Sequence, residues 1–400
     1  MNSPLTPMPL VSVVMSAYNA EQTISRTIES VRSQTYTNWE LLIVDDASTD
    51  STVQQIKAIE DKRIVLLIND KNQHISYSTN RAINTSKGKY IAIIDSDDCW
   101  LTDKLEKQIT YLEAFPEAGA CFTWCTLVDQ NGVEWTEKQD PLVRVYRQEN
   151  RSRLKWLHDL LLNGNCLCHP SVVYRRTSLE KSGLYDVALA QLLDYECYLR
   201  LLRFTDIHII CEPLVVVRRL HENNKSNSAE SGSALFRVNT ESAMVVCDYI
   251  ATMPPKLFSE VFTEELQVVP FDPRLEIFEK GSLLLSRYHN IAVRIGGMRL
   301  IRQCISDPLL LTYIQSKTNF DQFAFYDQSR ALGSLISTER SLDEFYEKKY
   351  LPQLSLRKVL KAKLKKNDRV FLFLFTLKHY ILDGREEAER LKREYLQAKK

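Results

Sequence analysis

In the first third of the chain, short apolar runs alternate with segments whose apolar residues recur every three or four positions. Leu10–Ser16 (LVSVVMS), mostly apolar and of strand length, reads as a buried strand. Ile24, Ile28 and Val31 share one helical face, which predicts a helix over Ala20–Gln34. Trp39–Val44 predicts the next strand. Ser51–Asp61 predicts a helix, with Ser48 and Asp50 as capping candidates. Ile64–Ile68 reads as a strand, Ile75–Ser86 as a helix and Tyr90–Ile94 as a strand. Leu101–Phe115 is a helix with Leu101, Leu105, Ile109 and Leu112 on one face. Nearly continuous apolar strands alternating with helices predict an α/β fold, with a mostly parallel, Rossmann-like sheet covered by helices on both faces. Such sheets bind ligands at the carboxyl ends of their strands. Tyr18-Asn19, Asp45-Asp46 and Asp95-Ser96-Asp97-Asp98 all fall at those ends, so three polar clusters far apart in sequence are expected to converge on one edge.

Beyond residue 118 the alternation is less regular. Ala118–Val128 and Ile207–Val217 predict strands, and Leu192–Phe204 a helix. After about Ser228 the apolar spacing becomes helical, broken at Pro254-Pro255, Pro270 and Pro273. The expected organisation is an α/β domain over residues 1–228 and a mostly helical C-terminal domain over 229–400.

Composition narrows the chemistry. With 400 residues, 44% of them hydrophobic, the chain can bury a substantial core, and its net charge of +1 gives no overall electrostatic case for nucleic acid. The opening MNSPLTPMPLVSVVMSAYN has no basic stretch ahead of its apolar residues, so no signal peptide is expected. The longest apolar run, Val370–Phe375, falls far short of the ~20 residues a membrane-spanning helix needs. A cytoplasmic location with reduced cysteines is the expectation. No CxxC occurs, and no second Cys/His pair completes a zinc site around Cys166-Leu167-Cys168-His169.

The first glycine is Gly88. A dinucleotide fingerprint or a phosphate-binding P-loop after the first strand is therefore excluded. A nucleotide phosphate on this sheet would need another partner, and a divalent cation held by carboxylates is the natural one. That would also relieve the repulsion among Asp95, Asp97 and Asp98. An Asp-rich turn can equally arise from turn and helix-cap preferences alone.

Several ordered motifs go further. VSVVMSAYNAEQTISRTIESVRSQTYTNWELLIVDDASTDST resembles the start of family 2 glycosyltransferases, which are inverting enzymes of the GT-A fold. Gly88-Lys89-Tyr90 running into Asp95-Ser96-Asp97-Asp98 resembles the family's GxYxxxLDxDD. The resemblance covers about residues 9–225 and leaves the helical C-terminal part outside. It implies that Ala17, Tyr18 and Asn19 line a nucleobase pocket, with Glu21 near the donor. It implies that Asp46, or else Asp45, accepts the imide N–H of a uracil-type base, and that Asn80 and Arg81 lie near the donor. Asp95, Asp97 and Asp98 would form the DXD element, with Asp97 or Asp98 holding Mn²⁺ or Mg²⁺.

Later segments extend the match. Gly183-Leu184-Tyr185-Asp186, then Leu193-Asp194-Tyr195-Glu196 and Arg200, resemble the family's general-base pattern, which places the base at Asp194. Leu193 stands where an acidic residue is usual, which leaves Glu196 as the alternative. His221, in Arg218-Arg219-Leu220-His221-Glu222, corresponds to a histidine that related enzymes use at the metal or diphosphate. His74 replaces a glycine common in the family. Residues 130–180, including His169, and the helical part are the expected sources of acceptor contacts.

The resulting expectation is a metal-dependent inverting glycosyltransferase that moves a sugar from a nucleotide-sugar donor, UDP-linked, to a glycan or lipid-linked acceptor in bacterial surface polysaccharide synthesis. A sugar-nucleotide pyrophosphorylase would need a Gly-rich loop where Ala17-Tyr18-Asn19-Ala20 stands. A non-catalytic carbohydrate-binding protein on the same fold would not need the acidic motifs. A further expectation concerns residues 356–380 (LRKVLKAKLKKNDRVFLFLFTLKHY). Six basic residues within Arg357–Lys366 precede an apolar run, a pattern suited to peripheral contact with an anionic membrane.

Overall fold

The computed structural model describes residues 8–138, 141–219 and 232–337. His221 and the 356–380 stretch lie outside the described residues. The first six elements follow the expected alternation: β1 (Val11–Ala17), α1 (Ile24–Arg32), β2 (Trp39–Asp45), α2 (Thr52–Lys57), β3 (Ile64–Ile68) and α3 (His74–Thr85). β4 (Tyr90–Ile93), the two-residue β5 (Cys99–Trp100), α4 (Lys104–Ala114) and β6 (Ala118–Val128) come next. The chain continues through α5 (Leu142–Val145), α6 (Arg153–Asn163), β7 (Val173–Arg175), α7 (Arg176–Ser182), α8 (Leu193–Leu201) and β8 (Asp206–Arg218).

These strands form one eight-stranded sheet in the order β3-β2-β1-β4-β7-β6-β8-β5. β3, β2, β1 and β4 run parallel, as the apolar strands predicted. The expectation of a mostly parallel sheet holds, with short antiparallel pairings added past that point. β7 runs antiparallel to both β4 and β6, β6 and β8 are parallel, and β5 is antiparallel to β8, so the sheet is mixed. β5 and β7 have two and three residues, too few for any periodicity to reveal them.

Alternate strand residues feed two cores. From β1, Val14 joins the cluster that contains Trp156, Tyr174 and Tyr198, while Val11, Val13 and Met15 join the cluster built on α1 and α4. α1 buries Ile24, Ile28 and Val31, the stripe the sequence predicted, together with Thr27. It starts four residues later than expected because Asn19–Glu21 is engaged elsewhere. The Asn19 and Ala20 N–H groups donate to Ser48 Oγ and Thr52 Oγ1, at 2.9 and 2.8 Å. α2 ends early because the Asp61 N–H bonds to Ile59 O and Ile64 N–H to Asp61 O, turning the chain into β3. Gly88 is required where it stands, since a Cβ there would lie 2.5 Å from Ser12 N.

The helical part begins with α9 (Gly232–Thr252), α10 (Pro255–Val261), α11 (Glu276–Arg287) and α12 (Ile291–Ile305). By contacts the chain divides after Leu300. In the first unit, Val246, Ile250, Phe258, Phe262 and Leu284 belong to the same apolar cluster as Trp156 and Tyr198. The second unit holds the end of α12, then α13 (Pro308–Lys317) and α14 (Gln322–Ser337). Asp307 caps α13 by accepting from the Leu309 and Leu310 N–H groups. Among the described residues, no helix is long and apolar enough to cross a membrane.

One buried charge in α4 bears on stability. Lys104 is fully buried, its Nζ 4.0 Å from the centre of the Trp100 ring and 2.7 Å from Gln108 Oε1. Burial pulls its amine down to about 7. The unfolded chain therefore binds a proton that the folded chain gives up between about pH 7 and 10.5. Stability rises with pH across that window, and the penalty is complete below it. Lys104→Met should stabilise the fold by about 1–4 kcal/mol, the scale of exchanging buried ionic groups for apolar ones, less the cost of the orphaned Gln108 oxygen. Thermal midpoints measured against pH check this: the gain should be largest below pH 7 and shrink towards pH 10.

Candidate functional site

At the carboxyl ends of β1, β2 and β4 lies a cavity of 630 Å³. Tyr18, Asn19, Asp46, Asp95, Asp97, Asp98, His169 and Asp194 all line it. The sequence clusters thus come together with a late acidic residue almost 100 positions further on.

The acidic turn after β4 is held from α1. Thr23 Oγ1 and Thr27 Oγ1 both donate to Ser96 O, at 2.9 and 3.0 Å. Asp98 is buried, and its Oδ1 accepts from Arg218 N–H at 3.0 Å. Burial, reinforced by the Asp95 charge, pushes the Asp97 carboxyl up to about 6. Burial with the charges of Asp97 and Asp95 lifts Asp98 well above the carboxylate range. Without a cation, the turn is electrostatically undercompensated. Its donors are all carboxylate oxygens, the ligands that Mg²⁺ and Mn²⁺ prefer. Among the described residues, no three acidic, His or Cys side chains converge on one point. A cation here would therefore take one or two carboxylates and complete its shell with ligand phosphates and water, a common arrangement for Mg²⁺. On this chemistry the residues fit such a cation.

Beside the acidic turn, Asn19 and Asp46 shape the wall. Asn19 adopts φ 51° and its Oδ1 accepts from Thr49 N–H at 2.8 Å, tying the loop after β1 to the loop after β2. Asp46 Oδ1 accepts from Asn69 Nδ2, Gln73 N and Ser78 Oγ at 2.6, 2.8 and 3.1 Å. That fixes the carboxylate in the wall. His74 sits at φ 66°, the left-handed region in which glycine is at ease, and it lines the same cavity.

Other expected site residues lie outside the lining. Ala17 is buried in the core, and its carbonyl accepts from Asp46 N–H at 2.8 Å. Glu21 turns to the start of α2, accepting from Ser51 N–H at 3.0 Å. Asp45 Oδ2 accepts from Ser48 N–H at 3.0 Å, while its buried Oδ1 has no partner among the described residues. Asn80 clamps Tyr185, donating to its carbonyl at 2.8 Å and accepting from its N–H at 3.0 Å. Arg81 donates to Ile68 O and to Asn69 Oδ1, and so steadies the residue that holds Asp46. Glu196 is not brought to the cavity. It pairs with Arg200, whose guanidinium also binds the carbonyls of Ser182, Gly183 and Leu184.

Asp194 faces the cavity from the first turn of α8. Its Oδ1 accepts from Tyr195 N–H at 2.7 Å and its Oδ2 from Asn165 Nδ2 at 2.8 Å. Asn165 is pinned in turn by Leu167 N–H on its Oδ1 at 3.0 Å. Burial raises the Asp194 carboxyl above its usual range, against the opposing pulls of His169, Tyr195 N–H and Asn165. His169 Nδ1 lies 3.7 Å from Asp95, and its Nε2 is 3.2 Å from Tyr185 Oη. Burial works to lower the imidazole, but the hydrogen bond and charge of Asp95, helped by Asp194, raise it. Asn165 was not visible as a site residue in the sequence, because its partner is 29 positions away and the loop showed only its cysteines. Arg218 and Tyr146 also line the cavity.

Residues 12–183 match the family model for glycosyl transferase family 2. This region is a family 2 glycosyltransferase domain. The chain is 47% identical over 103 residues to the Escherichia coli UDP-Glc:alpha-D-GlcNAc-diphosphoundecaprenol beta-1,3-glucosyltransferase WfgD, covering 26% of this chain and 41% of that one. It is 32% identical over 196 residues to an uncharacterized glycosyltransferase of Methanocaldococcus jannaschii, covering 48% of this chain and 64% of that one. The chain thus spans less than two thirds of the length of either relative. Among solved structures, residues 1–349 of Staphylococcus aureus TarS in complex with UDP-GlcNAc superpose with a TM-score of 0.51 at 17% identity. That likeness covers 82% of this chain and 91% of the other, and it supports the GT-A fold. Within the glycosyltransferase domain, the strand ends that carry Tyr18-Asn19, Asp46 and Asp95–Asp98 all fall inside the matched region, while Asp194 lies just beyond it.

The Asn165 contact yields a test on the glycosyltransferase domain. Removing a donor to the ionised carboxylate raises that carboxyl further. If Asp194 must be ionised to act, the acid limb of the transfer rate against pH should move to higher pH in Asn165→Ala. A profile superimposable on wild type would contradict this.

Proposed function

We propose that the chain is a metal-assisted, inverting glycosyltransferase that moves a sugar from a UDP-linked donor to a glycan or lipid-linked saccharide acceptor. The observation that carries this reading is the convergence of Asp46, Asp95, Asp97, Asp98 and Asp194 on one cavity. Its size suits a ligand of nucleotide-sugar dimensions.

In this reading, Tyr18 and Asn19 flank the base, and Asp46 offers its second carboxylate oxygen to a uracil imide N–H. Asp97 and Asp98 hold a divalent cation, which when bound supplies positive charge against the leaving diphosphate. Asp95 lies beside them and orients His169. Asp194 takes the proton from the acceptor hydroxyl as that oxygen attacks the anomeric carbon, so the sugar transfers in one displacement with inversion. Burial favours this role by bringing its carboxyl nearer to neutral pH. The activity in the name of the Escherichia coli relative, glucosyl transfer to a diphosphoundecaprenol-linked sugar, supports the donor and acceptor classes. Peripheral membrane contact through 356–380 would suit such an acceptor and remains part of the proposal.

The experiment is UDP release from UDP-sugars with a diphosphopolyprenol-linked saccharide, with and without Mn²⁺. Cation-dependent release that requires the acceptor is the expected result. Failure with every nucleotide sugar and acceptor tried would overturn the reading.

A further inference from the structure

Helix α9 lies beyond the region matched by the family model, yet its side chains reach α8, the helix that presents Asp194, and the residues on either side of it. The contacts keep a nearly constant offset in sequence. Glu241 meets residues 190–192, Tyr249 Oη donates to Leu199 O at 2.8 Å, and Arg203 Nη2 donates to Thr252 Oγ1 at 3.0 Å. Later residues of α9 meet later residues of the 190–203 segment that contains α8, so the two helices run in the same direction.

At the amino end of this pair, Glu241 does more than pack. It is buried at 4% exposure, and its carboxylate accepts three consecutive backbone N–H groups. Oε1 takes Ala190 N at 3.0 Å, and Oε2 takes Gln191 N at 2.8 Å and Leu192 N at 2.9 Å. The Leu192 N–H, at the cap of α8, is one that a helix start leaves without an intrahelical partner, and the Ala190 and Gln191 N–H groups belong to the loop before it. Hydrogen bonds to an ionised acceptor are the stronger kind. Ala190, Gln191 and Leu192 line the cavity and lead directly into α8 and Asp194. Upstream, the same loop is held by Ser76 on Leu189 O at 2.7 Å and by Asn80 on Tyr185. Glu241 fixes the last three residues before the helix.

We propose that Glu241 is a positioning residue for sugar transfer, with α9 as a splint that sets the start of α8 and thereby the place of the Asp194 carboxylate. This rests on the reading of Asp194 as the general base. A catalytic group displaced by a fraction of an ångström loses rate without losing the substrate bound elsewhere. In Gln, an amide N–H₂ replaces one acceptor oxygen and faces a backbone N–H donor, so the clamp is broken with little change in volume.

The test uses the full chain. Glu241→Gln, Asp194→Asn and the double variant are compared with wild type for kcat, donor KM, UDP affinity by calorimetry with Mn²⁺, and thermal midpoint. The expected result is a fall in kcat of about tenfold or more in Glu241→Gln, within the range a misplaced reacting group costs. UDP affinity and donor KM should stay unchanged, and the double variant should be no slower than Asp194→Asn alone. Wild-type kcat in Glu241→Gln, while Asp194→Asn is slow, would overturn this inference and leave the general base standing. A parallel loss of UDP affinity, kcat and thermal midpoint would also overturn it, reducing Glu241 to a structural cap. Wild-type kcat in Asp194→Asn would instead sink the underlying reading. Should Glu241→Gln not fold, Glu241→Asp, which keeps the charge but shortens the reach, must show the same split between kcat and donor KM.

Discussion

Asp194→Asn should leave UDP affinity intact and slow sugar transfer by about 10²-fold or more, the contribution typical of a general base. The substitution keeps the shape of the side chain, and its single acceptor oxygen can retain one of the two contacts, to Tyr195 N–H or to Asn165 Nδ2. What it removes is the capacity to take a proton. The measurement pairs calorimetric UDP titration with single-turnover transfer rates. If affinity falls as far as the rate, Asp194 binds donor instead. Glu196 provides the internal comparison. Its carboxylate is committed to Arg200, which grips the carbonyls of residues 182–184. Glu196→Gln should therefore lower the thermal midpoint more than the rate, and a larger rate defect there than at Asp194 would transfer the base to Glu196.

Asp97→Ala should abolish the response of the protein to a divalent cation. Three carboxylates crowd this turn, and burial and mutual repulsion already push Asp97 and Asp98 towards their neutral forms. Only an added positive charge makes full ionisation of the set favourable. Losing one direct oxygen ligand should cost more cation affinity than the about 10–100-fold typical of outer-shell substitutions. Transfer should fall in parallel, because the leaving diphosphate loses its counter-charge. Titrating Mn²⁺ against UDP binding, in wild type and variant, checks this. Wild-type turnover at unchanged cation dependence would refute it. The same substitution relieves repulsion in the cation-free protein, so its thermal midpoint without metal should not drop.

How much of this was legible in the chain follows from the range of the interactions concerned. The parallel half of the sheet could be read because β1, β2 and β4 are buried on both faces, and that leaves continuous apolar runs. The acidic turns could be read because strand ends are where such runs stop. What escaped were the elements whose reason is tertiary. β7 has three residues and exists because β4 and β6 flank it. α6 carries Trp156, Leu157, Leu160 and Leu161 at helical spacing, a signal that was present amid less regular sequence. The division of labour within the site was also hidden. Asn80, Arg81, Glu21 and Glu196 sit in or near motif positions, yet their side chains hold loops rather than line the cavity. Asn165 and Glu241 act across 29 and about 50 residues, distances at which one sequence carries no pairing signal.

The central claim is that this cavity binds a nucleoside diphosphate through a cation held by the acidic turn. A thermal-shift titration of nucleoside diphosphates and nucleotide sugars, with and without Mn²⁺, tests it most directly. UDP with Mn²⁺ should raise the thermal midpoint of wild type, and neither alone should match the pair. Asp97→Ala should lose the effect. No shift with any nucleoside diphosphate in Mn²⁺, or an equal shift in Asp97→Ala, would contradict the account.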